Sequence, residues 1–381
     1  MKKVTILALH LAYGGIEKAV SELANLFAGQ FEVEILSVYD MPNAPAYPID
    51  PRVKITYLLK DVPNRQELRE ALSEKSPGKL LKEGARAARI LTEKQTAVIK
   101  AIRNISSGIV IATRDEHAVL LSKFGRDGVM KVMQLHQDHG YDRALVRHFQ
   151  KDYGRIDLFA LLSPKMEREV KELMRSNTHT KVVYLPNFME ALPPEADWAS
   201  KEKTVIAVGR LHPVKGYDRL IRLFASMHPA CPEWRLVILG SGDEQAALEK
   251  EIEACGASSY ITLAGRRSPE EVEQEMAKAS LYALSSHSEG FPFVLLEAMS
   301  NSLPIVAFDT RGGLDMLVKT GENGYLVTQE EAFCKALTHL MQDDTLRRNM
   351  AQRSRELSLQ FSRDEVAKIW FRLIEEYFHE S

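Results

Sequence analysis

The chain has 381 residues, enough for two domains of ordinary size, and 45% of them are hydrophobic, so each domain can bury a core. A formal net charge of -2 excludes a global pull toward nucleic acid, and three scattered cysteines with no Cys-x-x-Cys pair exclude a zinc site or a disulfide framework and favour a reducing, cytoplasmic setting. No apolar run reaches the ~18 residues of a membrane-spanning helix, and Met1 to Ala8, followed early by His10 and Gly14-Gly15, reads as a first buried strand rather than a signal peptide.

Val4 to Leu9 opens the chain as a parallel strand. The loop Tyr13-Gly14-Gly15-Ile16-Glu17 follows, then a helix with Ile16, Val20, Leu23 and Phe27 on one face. The glycine pair is either a tight structural turn or a helix start whose bare amides approach a phosphate. Glu17 is expected to favour the helix N-terminus electrostatically. Further strands are expected at Val33 to Val38, Val53 to Leu58, Ile109 to Thr113, Val129 to Leu135, Leu158 to Ser163 and Val182 to Leu185. Strands alternating with helices argue for an α/β domain with a mostly parallel sheet.

Residues 60–105 carry eleven Lys or Arg against six Asp or Glu. Lys79, Lys82, Arg86 and Arg89 recur along one face of a helix that Ser76-Pro77-Gly78 starts. That face is either solvated or, over 79–103, a basic surface for anionic lipid headgroups or an anionic acceptor. His136 follows the strand Val129 to Leu135 and projects from its carboxyl end. Leu185-Pro186-Asn187-Phe188 reads as a hinge, because a residue before proline disfavours helix, and 192–199 as a linker.

A second domain restarts the rhythm. Thr204 to Val208 is a strand, Gly209 to Gly216 a loop with two cations, Arg210 and Lys215, and a helix begins near Tyr217. Arg235 to Leu239 leads into Gly240-Ser241-Gly242-Asp243, a turn with an N-cap. Tyr260 to Ala264 leads into Gly265-Arg266-Arg267. Leu281 to Leu284 is a strand, Ser285 to Pro292 a loop, then a helix carrying Glu297, then a strand from Pro304 to Phe308. Gly312-Gly313 follow it, with Asp315 in an open role, and Asn323 to Val327 turns into a last strand. From Glu330 the chain is helical. Ser362 caps a final helix with Val366, Ile369, Trp370, Leu373, Ile374 and Phe378 near one face.

The stretch from Leu281 to Phe308 organises the rest. Ligands bind in parallel sheets at loops leaving the carboxyl ends of strands. Glu289 sits in such a loop and Glu297, eight residues on, is expected about two turns into the helix. At ~1.5 Å rise per residue the two lie roughly 10 Å apart, suited to gripping two parts of one extended polar ligand. The amides near Phe293 and Val294 open the helix and form an anion site between them.

Ser-x-x-x-Glu-Gly-Phe-Pro from Ser285, followed by Leu-Leu-Glu-Ala-Met, resembles the signature of the retaining glycosyltransferases with the GT-B fold (family 4-like, of the glycosyl transferases group 1 type). The family's Glu-x7-Glu pair falls on Glu289 and Glu297. The resemblance is strong from Gly209 to Val327 and weak from Lys60 to Ser107. It implies two doubly wound Rossmann-like domains facing each other across a cleft: residues 1–187 for the acceptor, 188–361 for the nucleotide sugar, and 362–381 a helix crossing back to the first domain.

The resemblance also implies roles. Arg210 and Lys215 match a phosphate clamp that answers the charge of the leaving diphosphate. Phe293 and Val294 give amides to it. Glu297 holds the ribose hydroxyls, which a carboxylate accepts in bidentate fashion. Glu289 holds donor-sugar hydroxyls and answers positive charge at the anomeric carbon. It is not a nucleophile, since retaining hydrolases set two carboxylates roughly 5 Å apart. His136 matches a histidine near the donor sugar's primary hydroxyl, Gly15 lies in the glycine loop near donor phosphate and acceptor, and Arg266 neighbours the base. No metal and no cofactor is implied beyond the donor, with UDP favoured over GDP. The implied reaction moves a sugar, with retention, to a hydroxyl of a glycan or lipid-linked acceptor in cell-surface polysaccharide or glycolipid synthesis, in the cytoplasm or peripherally on the cytoplasmic membrane face. A GT-B-fold epimerase, a phosphorylase and a non-catalytic sugar-nucleotide-binding subunit are the alternatives. The glutamate pair speaks against the first, no lysine motif for a cofactor phosphate supports the second, and the intact clamp speaks against the third.

Overall fold

The computed structural model describes residues 2–194, 197–310 and 312–380. The chain divides into two units, Met1–Leu185 with Leu373–Ser381, and Pro186–Arg372. Among the described residues no helix is long and apolar enough to cross a membrane.

The first unit holds strands β1 (Lys3–Ala8), β2 (Glu32–Tyr39), β3 (Lys54–Leu59), β4 (Gly108–Ala112), β5 (Val129–Leu135), β6 (Leu158–Leu161) and β7 (Lys181–Tyr184). They form one parallel sheet in the order β3-β2-β1-β4-β5-β6-β7. Helices cover both faces of such a sheet, so its central strands read as unbroken apolar runs. Every residue of β4 and β5 is buried. Phe149, Tyr153 and Phe159 cluster in its core with ring centroids 5.0 to 5.5 Å apart. Glu34 on β2, next to the edge strand, is answered by Lys3 at 2.6 Å, Lys54 at 3.0 Å and Thr56 at 2.8 Å. Burial opposes its charge, but those hydrogen bonds win and lower its pKa to about 2.

The second unit holds β8 (Thr204–Val208), β9 (Arg235–Leu239), β10 (Ile261–Gly265), β11 (Leu281–Leu284), β12 (Ile305–Phe308) and β13 (Gly324–Val327). They too are parallel, in the order β10-β9-β8-β11-β12-β13. Trp234, Phe224 and Leu236 are fully buried in its core, and Phe308 stacks on Phe333 at 4.6 Å. In each sheet the strand order reverses once, between β1 and β4 and between β8 and β11. A crevice opens at such a reversal outside the carboxyl ends of the strands. The fold is thus two doubly wound, Rossmann-like α/β units.

Two details differ from the sequence reading. The stretch 192–199 lies within the second unit and runs into a short 3-10 turn, Trp198–Ser200, capped by Asp197; its residues 195 and 196 lie outside the described residues. The helix Gln245–Ala254 starts after Glu244 with no side-chain cap, so Asp243 does not cap it. The last helix, Arg363–Glu380, belongs from Leu373 onward to the first unit, where Glu376 pairs with Lys181 at 2.8 Å and Lys2 lies over Phe378 at 3.6 Å.

Candidate functional site

The reversal between β8 and β11 brings together two loops that lie far apart in sequence. The loop after β8 runs from Gly209 into the helix Tyr217–Met227. His212 caps its short turn Pro213–Lys215 by accepting the Val214 amide at 3.2 Å. Gly216 then takes a left-handed φ of 60° with the Ser285 carbonyl against its Cα, where a side chain meets both strain and backbone. That close approach lets the loop after β11 dock. The His287 amide donates to the Val214 carbonyl at 2.8 Å, the Ser285 hydroxyl to the Lys215 carbonyl at 2.8 Å, and Arg219 to the Ser285 carbonyl at 2.6 Å while lying 3.6 Å over Phe308.

These bonds hold Lys215 and Glu289 face to face. Lys215 Nζ lies 2.6 Å from Glu289 Oε1, and the Ser286 hydroxyl donates to the same oxygen at 2.6 Å. Their side chains are only 21% and 11% exposed, so each charge depends on the other. Two buried phenols feel the Glu289 charge. Burial first, and the Glu289 charge second, hold Tyr217 well above its ordinary value. Tyr282 is raised well above its ordinary value by burial first, and then by Tyr217, Glu289 and Glu297.

Glu297 lies on the helix Phe293–Ser300, only its fifth residue and so just over one turn in rather than two. Phe293 and Val294 open that helix, and the first amides of any helix have no carbonyl a turn behind them. Arg210 is exposed on the loop after β8. Arg266 is exposed after β10, the edge strand, two strands from β8. Sequence reasoning missed what Gly240 and Gly242 do. A side chain at either meets the carbonyl of Gly209 or Leu211, and the Leu211 amide donates to the Ser241 carbonyl at 3.0 Å. The glycine turn after β9 thereby buttresses the loop that carries Arg210. Two glycines spaced one apart after a strand were the available signal.

The reversal between β1 and β4 carries a second polar cluster. Gly15 opens the helix Gly15–Phe27, and nothing lies within 4 Å of where its side chain stands in another residue. Glu17, expected to favour the helix N-terminus electrostatically, also has fixed partners in another part of the fold. It is 5% exposed, folds back against Gly14, pairs with Arg114 at 2.8 Å and lies 3.5 Å from His10 Nδ1. Arg114 directly follows β4's last loop residue, and a cation between an apolar strand and a helix start at 115 was its sequence signal. His136 leaves the carboxyl end of β5 with both ring nitrogens buried and no protein partner; burial, then Arg114, push its pKa down to about 3, so the ring is neutral. Deeper, His117 is pushed down to about 4 by burial.

The structure therefore gathers Lys215, Glu289, Glu297, Phe293 and Val294 at one reversal, with Arg210 on its rim, and Gly15 and His136 at the other. The helix Pro77–Asn104 revises the picture of a bare basic face: Lys79 pairs with Glu74, Arg89 with Asp61 and Lys94 with Glu116, at 2.5 to 2.6 Å. Among the described residues no three His, Cys, Asp or Glu side chains group to hold a metal ion.

Residues 188–357 match the family described as glycosyl transferases group 1. Over 376 residues, 95% of this chain, the sequence is 27% identical to an exopolysaccharide phosphotransferase of Streptomyces coelicolor, of which it covers 39%. It is 26% identical, over 97% of this chain and 98% of the other, to the N-acetylgalactosamine-N,N'-diacetylbacillosaminyl-diphospho-undecaprenol 4-alpha-N-acetylgalactosaminyltransferase of Campylobacter jejuni. The chain spans between 39% and 54% of the length of the Streptomyces protein and three further curated relatives it matches. Its fold matches a structure of Anabaena HepE in complex with UDP-glucose with a TM-score of 0.74 and 16% identity, over 99% of this chain and 100% of that one.

Proposed function

We propose, from the match of residues 188–357 to the glycosyl transferases group 1 family and from the GT-B fold, that this chain moves a sugar from a UDP-sugar to a hydroxyl of a glycan or lipid-linked acceptor, with the anomeric configuration retained. The observation that carries the reading is the Lys215–Glu289–Ser286 contact at the β8/β11 reversal, beside the helix start at Phe293. A cation, a carboxylate and a row of amides within one crevice answer a diphosphate and a polyol together.

On this reading the ion pair is the resting state of the site. Donor binding brings the diphosphate to Lys215 and Arg210 and to the amides of Phe293 and Val294. Lys215 then exchanges Glu289 for phosphate, and Glu289, still held by Ser286, turns to the donor sugar's hydroxyls. Glu297 takes the ribose. As the bond to the anomeric carbon breaks, charge grows on the diphosphate, where the two fixed cations stabilise it. The leaving phosphate takes the acceptor's proton on the same face of the sugar. His136, neutral and with both nitrogens unpartnered, is the proposed contact for the donor sugar's primary hydroxyl, Arg266 the neighbour of the base, and Gly15 of the phosphate or acceptor.

UDP is favoured because the Anabaena structure of the same fold holds UDP-glucose. A lipid-linked acceptor is favoured because the Campylobacter relative is named for a diphospho-undecaprenol substrate. Exposed Leu80, Leu81 and Leu91 on the helix Pro77–Asn104 support a peripheral position on the cytoplasmic membrane face through 79–103. Absence of binding to anionic vesicles at low salt overturns that part alone.

The experiment that tests the reading is binding and slow hydrolysis across a panel of UDP- and GDP-sugars without acceptor, with mass detection of released nucleotide. One donor that binds and releases UDP supports it. No binding to any nucleotide sugar overturns it. Tight nucleotide binding with no turnover on any acceptor favours instead a non-catalytic binding subunit.

A further inference from the structure

Among the described Phe, Tyr and Trp side chains only two are exposed, Tyr13 and Tyr141, each 48%. Both stand at the carboxyl edge of the first unit's sheet. Tyr13 lies in the loop after β1 and Tyr141 in the loop after β5, and β4 alone separates those strands, so the two loops leave the sheet about 10 Å apart.

Neither ring is placed by slack chain. The Ala12 amide donates to His10 Nδ1 at 3.3 Å, and the Tyr13 ring meets Tyr47 edge to face at 5.8 Å. Tyr141 has a left-handed φ of 54°, which a residue with a Cβ adopts at a cost. A buried histidine maintains it. His139 Nδ1 accepts the Tyr141 amide at 3.1 Å, its ring meets Tyr141 edge to face at 4.8 Å, and its Nε2 lies 3.1 Å from the Glu169 carboxylate. Asp138 accepts the Gly140 amide at 3.1 Å, and Asp142 caps the next helix through the Ala144 and Leu145 amides. A strained, well-braced backbone that presents a large ring to solvent is the kind of local cost found where a ligand is met.

The surroundings decide the ligand's chemistry. Arg114, Glu17, His10 and His136 lie at the ends of the same strands. The exposed aliphatic side chains of this unit, Leu72, Leu80, Leu81 and Leu91, lie elsewhere, between residues 65 and 104. Flat rings beside charged hydrogen-bonding groups fit a pyranose, which offers C–H faces to aromatic π-clouds and hydroxyls to polar side chains. They fit an acyl chain poorly.

We propose that Tyr13 and Tyr141 form a stacking platform for pyranose rings of a saccharide acceptor, with His139 the positioning residue for Tyr141. The proposal rests on the transferase reading and names its acceptor as a sugar ring rather than an acyl chain or a polyol phosphate.

The test is saturation-transfer NMR on the full chain. The probes are the methyl glycosides of glucose, galactose, N-acetylglucosamine and N-acetylgalactosamine and their β-linked disaccharides, with glycerol 3-phosphate and dihexanoyl phosphatidylglycerol for comparison. UDP affinity is measured in parallel. The expected result is saturation of ring protons in at least one saccharide, weakened about tenfold or more in Tyr13→Ala and in Tyr141→Ala, kept within about twofold in the Tyr→Phe variants, with UDP affinity unchanged throughout. Because the phenylalanine variants keep ring and packing, they separate stacking from folding. Saccharide signals that survive both alanine variants overturn the platform. So does a wild type that binds UDP but no saccharide, or only glycerol phosphate or lipid. A wild type that binds no UDP overturns the transferase reading beneath it.

Discussion

The two sheet reversals solve one problem with opposite hands. In the second unit the cation follows the first of the two switch strands and the acid the other: Lys215 after β8, Glu289 after β11, at 2.6 Å. In the first unit the acid comes first: Glu17 after β1, Arg114 after β4, at 2.8 Å. Each pair neutralises charge in a crevice that parallel strands open by their topology. What differs is the company. Around Lys215 and Glu289 stand backbone amides, a serine and a rim arginine. Around Glu17 and Arg114 stand neutral histidines and two exposed tyrosines. The same ionic brace thus supports an edge suited to phosphate in one unit and an edge suited to rings and hydroxyls in the other.

The largest expected effects break this comparison if they fall on the wrong edge. Lys215→Ala and Arg210→Ala are each expected to lower donor turnover by about a hundredfold or more, since each removes a fixed charge from the leaving group. Steady-state release of UDP measures it, with circular dichroism to show intact folding. Near-normal turnover in both variants removes the clamp from the proposed mechanism. Arg114→Ala is expected to act otherwise. Glu17, only 5% exposed, is left without its cation, at a cost of about 3 kcal/mol in unfolding free energy, while UDP affinity holds. Denaturant unfolding reads the first and calorimetry the second. If Arg114→Ala weakens UDP as much as Lys215→Ala does, the two edges are not distinct.

Acid sharpens the contrast. His117 and His136 belong to the first unit, with pKa values lowered to about 4 and about 3 chiefly by burial. Their folded pKa lies below the unfolded 6.5, so the unfolded chain binds more protons in between. Their contribution to stability is full above about pH 6.5 and is lost as pH falls toward 4 and 3. For His117, which faces Glu116, Lys94 and Arg114 and is 1% exposed, the loss is on the order of 3 kcal/mol between pH 6.5 and 4. Hydrogen exchange is the right readout, because all three tryptophans, Trp198, Trp234 and Trp370, lie in the second unit. Peptides covering β4 and β5 are expected to lose protection before those covering β8 and β11, and His117→Leu to delay that loss. Equal loss in both units, unchanged in the variant, overturns the account.

How legible each edge was in the sequence follows from where its partners lie. Strands β5, β8, β9 and β11 were readable to the residue, because strands buried on both faces are plain apolar runs between polar loops. Arg210, Lys215, Glu289 and Glu297 were readable as candidates because each pair sits in one short stretch. That Lys215 rests on Glu289 was not, since the two are 74 residues apart. The first edge was nearly silent. Glu17 meets Arg114 across 97 residues, and a lone acid at a helix start has a sufficient local explanation that happens to be incomplete. The helix Pro77–Asn104 misled for the same reason: its cations are local, while acids such as Asp61, 28 residues from Arg89, arrive from elsewhere. Tyr141 gave no signal because φ is not written in the side chain.

That last residue supplies the smallest test. Tyr141→Gly removes the Cβ that makes a φ of 54° costly. The left-handed penalty is roughly 1–2 kcal/mol, and glycine's extra unfolded-state freedom takes back roughly 0.5–1 kcal/mol. Tyr141→Gly is therefore expected to raise stability by about 0.5 kcal/mol while weakening saccharide binding. A thermal melt and the ring-proton signal together check it. The two readouts moving in opposite directions means the tyrosine is kept at the expense of stability, as a ligand-meeting side chain is. A fall in stability instead means that the contact with His139 outweighs the backbone strain and that Tyr141 is there to brace its own loop.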